Sequence, residues 1–79
     1  MNNERIERLR AIVGEITKRD ASELAEEDDL VFALGLDSLE GLRVLALVEK
    51  RFGVRFDDAH LHDLRTLRQL DAAVEGALP

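Results

Sequence analysis

The sequence predicts an all-α fold, a four-helix bundle with three longer helices and one short one, on three observations. Apolar residues recur at every third or fourth position in separate stretches, the period at which one helix face meets a core. Two of these stretches open on Asp37-Ser38-Leu39-Glu40 and Thr66-Leu67-Arg68-Gln69, each with Glu or Gln three residues after a capping residue, which is the signature of a capping box. Alternation of polar and apolar residues goes no further than Val54-Arg55-Phe56, too short to indicate a sheet.

Taken in order, Ile6, Leu9, Ile12, Val13 and Ile16 form one stripe between Glu4 and Lys18, which predicts the first helix. Residues Arg19 to Asp37 carry Asp20, Glu23, Glu26, Glu27, Asp28 and Asp29 around Leu24, Leu30 and Leu34 without sustained period. That segment reads as a long ordered loop, pinned by its leucines. The second long helix runs from Ser38 to about Phe52, capped by Asp37 and stopped by Gly53. Its inward face reads as Leu42, Leu45, Val48 and Phe52, widened by Val44 and Leu47. Beyond Val54 and Phe56, Asp57-Asp58 caps a short third helix carrying Leu61 and Leu64. Thr66 then opens the last helix, with Leu67, Leu70, Ala73, Val74 and Ala77 facing inward. No repeat, low-complexity tract or Pro/Gly/Ser linker divides the chain, so residues 1–79 read as a single domain.

Composition narrows the function. At 79 residues one core supplies only roughly a few kcal/mol of net stability, and little room is left for an enclosed active site. The absence of Cys excludes a disulfide framework and thiolate metal sites, and makes the cytoplasm the default compartment. No apolar run approaches the roughly 20 residues of a membrane span, and the start Met1-Asn2-Asn3-Glu4-Arg5 has no signal-peptide pattern. Membrane insertion and secretion are therefore not expected. A net charge of −6 with no Tyr or Trp argues against nucleic acid and favours basic protein surfaces as partners. His60 and His62, two apart, would point to different sides of a helix, and Glu26-Glu27-Asp28-Asp29 lacks the alternation and glycine of an EF-hand, so no metal site is indicated. No Ser/His/Asp set or phosphate loop accompanies them.

Ser38 is the candidate functional residue. The capping box puts its hydroxyl in the first turn of a helix, beside orphan N–H groups and the positive dipole end, where a phosphate ester is favoured. A phosphorylated or phosphopantetheinylated serine fits that position. Taken alone, an ordinary first-turn serine accounts for the same residues.

The stretch Leu34-Gly35-Leu36-Asp37-Ser38-Leu39 resembles the attachment motif of the acyl carrier proteins of fatty acid, polyketide and related synthesis, in which D-S-L opens a helix after L-G. The resemblance covers essentially the whole chain, through the apolar stripe before Thr17, the acidic loop, Phe52-Gly53-Val54 and the terminal helix after Thr66. It implies a stand-alone bundle of acyl-carrier type, with the long loop between its first and second helices. It further implies that a phosphopantetheinyl transferase moves 4′-phosphopantetheine from coenzyme A onto Ser38. The distal thiol then holds an acyl group as a thioester, so chemistry belongs to the cofactor and to partner enzymes, and the domain is a non-catalytic carrier. The partners so implied are that transferase and the acyl-loading and acyl-processing enzymes (synthases, ligases, transferases), met by a monomer. Asp37 and Leu39 complete the site: Asp37 caps the helix, aids transferase recognition, or does both. Gly35 permits a positive φ or a tight approach by the transferase, or is a plain turn glycine.

The resemblance also makes the helix after Ser38 the recognition surface, usually a row of carboxylates. Glu40 and Glu49 fit; Arg43, Lys50 and Arg51 depart from the pattern. Arg43 is either tuned to an acidic spot on a dedicated synthase or ligase or, with Lys50, a solvated surface charge. Phe32 and Leu36 are a second departure, since the stretch before the serine is often acidic where this one reads Val31-Phe32-Ala33, and they are expected to anchor the loop on the bundle rather than meet a partner or the pantetheine arm. Leu36 leans weakly toward polyketide-like carriers. Leu30, Val48, Phe56, Leu61 and Leu64 would line any acyl shelter, but a core needs them regardless. Aminoacyl and peptidyl carriers typically read G-G-H/D-S, and the doubled glycine is missing here. An unmodified helical adaptor for a basic partner is the remaining alternative.

Overall fold

The computed structural model describes residues 3–57 and 64–78, in which every regular element is a helix: α1 (Asn3–Thr17), α2 (Leu30–Leu34), α3 (Ser38–Phe52) and α4 (Leu67–Ala77). In α1 the expected stripe is buried at Ile6, Leu9, Ile12 and Val13, with Ile16 half-buried against the same core. The Thr17 hydroxyl donates back to the Val13 carbonyl at 2.9 Å, and Lys18 leaves the helix at φ 57°. Arg5 reaches across to Asp71 and, at 2.9 Å, to Glu75 of α4. Those two carboxylates hold its guanidinium pKa above the ordinary value.

The segment from Arg19 to Asp37 is not loop throughout. Leu30–Leu34 forms a short helix because the Asp29 carboxylate accepts from the amides of Val31 (2.9 Å) and Phe32 (3.3 Å), and Gly35 closes it at φ 65°. Five apolar-rich residues are too few to display a helical period, so pattern alone could not mark it. The leucines do pin the segment: Leu24 and Leu30 are buried and Leu34 packs on the core. Arg10 fastens the loop further by donating to the Leu24 carbonyl at 2.8 and 3.0 Å.

In α3 the capping box, the Gly53 stop (φ 66°) and the inward placing of Leu45, Val48 and Phe52, widened by Val44 and Leu47, are as expected, and Leu42 alone departs. Val44 and Val48 are buried at 2% and 0% relative exposure, whereas Leu42 is 54% exposed. At 100° per residue Leu42 and Val44 lie about 160° apart, so only one can face the core. Thr66 caps α4 in a second box with Gln69, and Leu67, Leu70 and Val74 are buried as expected, with Ala73 and Ala77 half-buried. The expected short helix, with Asp58, His60, Leu61 and His62, falls outside the described residues, while Leu64 packs on the core.

Helix α1 is the common neighbour, packing on both α3 and α4, which meet each other far less. Two backbone bonds tie the loop to the start of α4: the Leu30 amide donates to the Arg65 carbonyl (2.8 Å), and the Arg68 amide to the Glu26 carbonyl (3.0 Å). A cleft is thereby left between α3 and the entry to α4.

Candidate functional site

Ser38 is the first residue of α3 and is exposed. Its hydroxyl is not needed to hold the helix start. The Asp37 carboxylate accepts from the Glu40 amide at 2.8 Å, the Glu40 carboxylate accepts from the Asp37 amide at 3.2 Å, and the Gly41 amide donates to the Asp37 carbonyl at 2.9 Å. Capping is thus the role of Asp37 that the geometry displays. The amides of Ser38 and Leu39 are the first-turn donors that the box leaves over.

Beside Ser38 opens a cleft of ≈ 770 Å³, lined on the α3 side by Leu36, Gly41, Leu42 and Leu45 and across from it by Leu64, Arg65 and Leu70. Arg65 is the one cation among the described lining residues. Its amide donates to Gln69 Oε1 at 2.7 Å and its guanidinium pairs with Asp29 at 2.9 Å, so the second capping box and the α2 cap together fix it at the cleft rim. Burial opposes the charge on Asp29, but the Phe32 amide, Arg65 and the Val31 amide outweigh it and hold its carboxyl below the ordinary value. No motif or period in the sequence marks Arg65. The available signal was its place directly before the Thr66 cap.

Gly35 ends α2 in the left-handed region, and a Cβ there would meet the Arg19 guanidinium at 3.5 Å, so the positive-φ reading holds. Leu36 is half-buried on the core, as an anchor should be. Phe32 is not an anchor: it is 88% exposed. Within α2, Leu30 and Leu34 share the inward face at i and i+4, which turns Phe32 outward. Of the recognition candidates, Arg43 is exposed on α3, as is Leu39 of the attachment motif. Glu40 is engaged in the capping box, and Glu49 accepts from the Phe56 amide at 2.7 Å.

Comparison with known proteins agrees with this geometry. A family model described as "Phosphopantetheine attachment site" matches residues 7–74. An acyl carrier protein of Thermotoga maritima is 32% identical over 90% of this chain and 88% of its own length. "Polyketide-8 synthase acyl carrier protein 2" of Streptomyces avermitilis is 32% identical over 78% of this chain and 71% of its own. "Meromycolate extension acyl carrier protein" of Mycolicibacterium smegmatis is 32% identical over 85% and 68% respectively. The chain belongs to the phosphopantetheine attachment-site family and, within it, to the acyl carrier proteins, which bear 4′-phosphopantetheine as prosthetic group and work with biosynthetic enzymes.

Proposed function

We propose that Ser38 is the residue that bears the 4′-phosphopantetheine arm, and that this single-domain chain is a monomeric, cytoplasmic, non-catalytic acyl carrier. The observation that carries the assignment is an exposed serine hydroxyl at the start of a fifteen-residue helix whose cap is already supplied by Asp37 and Glu40. The residues present fit the group: two first-turn amides and the Arg65 guanidinium offer donors to a phosphodiester, and the adjoining cleft offers Leu36, Leu42 and Leu45 to an apolar chain. The arm, once attached, supplies a thiol on which acyl groups ride as thioesters.

Loading requires a phosphopantetheinyl transferase. Ser38 Oγ attacks the phosphorus that bears pantetheine in coenzyme A, an O–P bond forms as the pyrophosphate bond breaks, adenosine 3′,5′-bisphosphate leaves, and the serine proton passes to the transferase. Asp37 keeps the first turn of α3 formed while the neighbouring Oγ is presented. The chain's own part is to hold and present the arm. The acyl-loading and acyl-processing enzymes are synthases, ligases or transferases of fatty acid or polyketide-type synthesis, a reading supported by the printed names of the Streptomyces and Mycolicibacterium relatives. Acyl rather than aminoacyl cargo is favoured by the single glycine of Leu34-Gly35-Leu36-Asp37-Ser38.

The test is intact-protein mass before and after incubation with coenzyme A, magnesium and a broad-specificity phosphopantetheinyl transferase. The wild type is expected to gain one phosphopantetheine and folded Ser38→Ala none. Modification of Ser38→Ala would move the attachment site elsewhere, and a folded wild type refused by several transferases would return the chain to the adaptor reading.

A further inference from the structure

The face of α3 turned away from the core has no partner within the described chain. Leu39, Leu42, Arg43, Ala46 and Lys50 stand at i, i+3, i+4, i+7 and i+11, and all are exposed. They form one stripe roughly 100° wide and about 16 Å long. Its apolar end lies in the first turns beside Ser38, where Leu39 is 60% and Leu42 54% exposed.

The charges on α3 are sorted by what they touch. Glu40 and Glu49 are occupied by the amides of Asp37 and Phe56, and Arg51 pairs with Glu15 at 3.2 Å. Arg43 and Lys50 meet no carboxylate among the described residues. A chain of net charge −6 thus offers two uncommitted cations on the one helical face that also exposes two leucines.

We propose that this stripe docks a protein that presents carboxylates around an apolar recess, so that the enzymes serving this carrier are selected by an acidic rather than a basic docking surface. The proposal rests on the carrier reading above and names the partner's chemistry. With a Debye length of about 8 Å at physiological ionic strength, charge elsewhere on the chain is largely screened once surfaces meet, and Arg43 and Lys50 are the charges that the stripe itself presents. A second copy fits poorly, since a two-fold contact would set Arg43 and Lys50 against their own duplicates. An anionic bilayer fits poorly too, because two cations are few against a net charge of −6.

The probes are two versions of one acyl transacylase that differ only in the carrier-docking surface, one basic and one with those lysines and arginines reversed to glutamate. Each is assayed with wild-type carrier and with the R43E/K50E double variant, both verified by mass as loaded and by circular dichroism as folded. The wild type is expected to show about tenfold higher kcat/KM with the acidic version, and the double variant to reverse the preference. Amide-shift titration of unloaded Ser38→Ala with the same two enzymes repeats the comparison without the arm. A Ser38 that cannot be loaded overturns the carrier site, and this second readout still decides the docking surface. Equal rates, or a wild type that favours the basic version, overturns the proposal. So does wild-type binding to phosphatidylserine vesicles, or self-association lost in the double variant, when neither transacylase is preferred.

Discussion

Asp29 holds together two parts of the site, because one carboxylate caps α2 through the amides of Val31 and Phe32 and also pairs with Arg65 at the cleft rim. Its pKa is depressed in the fold, burial notwithstanding, by the Phe32 amide, Arg65 and the Val31 amide. A depressed carboxyl contributes stability that is fully present above its unfolded value, near 3.8, and is lost as pH falls through the lower folded one. The Val31 and Phe32 amide resonances should therefore hold steady from neutral pH into mild acid and titrate only below that value. Movement at higher pH would mean that the cap is not the carboxylate described. Asp29→Asn should keep α2, since an amide oxygen can still cap, while releasing Arg65; Asp29→Ala should lose both. Hydrogen exchange at Val31 and Phe32 separates the two variants. The sequence displayed Ser38 and its capping box because those are local, short-range patterns. It did not display the Asp29–Arg65 pair, which joins residues 36 positions apart through the tertiary fold.

At the scale of the element, helix starts and stops were legible where a cap and a period coincide. Asp37 with Glu40, Thr66 with Gln69, and Gly53 all stand where pattern put them. The outward turn of Leu42 was not legible, since it continues the apolar face of Leu45, Val48 and Phe52, and only the packing of α1 on Val44 and Val48 turns it from the core. A row that is apolar for partners reads the same as a row that is apolar for the core. Gly41 shows what the helices leave unused. A Cβ there would lie 3.8 Å from the Leu36 side chain, an ordinary contact, and one at Gly76 would meet open space. Replacing a helical glycine by alanine gains up to about 1 kcal/mol, so Gly41→Ala should raise the melting temperature by about 4–8 °C. Gly76→Ala, in the last turn of α4, should gain less. Gly14→Ala should gain nothing, because its Cβ would press on the Arg19 carbonyl at 3.3 Å. Calorimetry on the three variants checks the order, and a gain at Gly14 as large as at Gly41 would contradict the packing of the loop on α1.

For the whole molecule, the position of the cleft follows from which helices meet. Because α1 packs on both α3 and α4 while those two meet little, the core is concentrated on α1, and the far side of α3 and the entry to α4 are left to frame the space beside Ser38. Stability and function are thereby carried by different faces of the same helix: Val44 and Val48 hold α3 to the core, and Leu39 and Leu42 remain outside it. The division makes two leucines of similar appearance in the sequence behave differently. Leu9, fully buried at the centre of α1, should cost about 3 kcal/mol when cut to alanine, a large part of the roughly 4–12 kcal/mol available to a domain of this length. Leu42→Ala should stay within about 0.5 kcal/mol of the wild type, as exposed substitutions do. Urea unfolding measures both, with an unchanged slope expected in each case. If Leu42→Ala cost as much as Leu9→Ala, then Leu42 would belong to the core and α3 would be rotated. The outward stripe of leucines and cations beside Ser38 would then not exist.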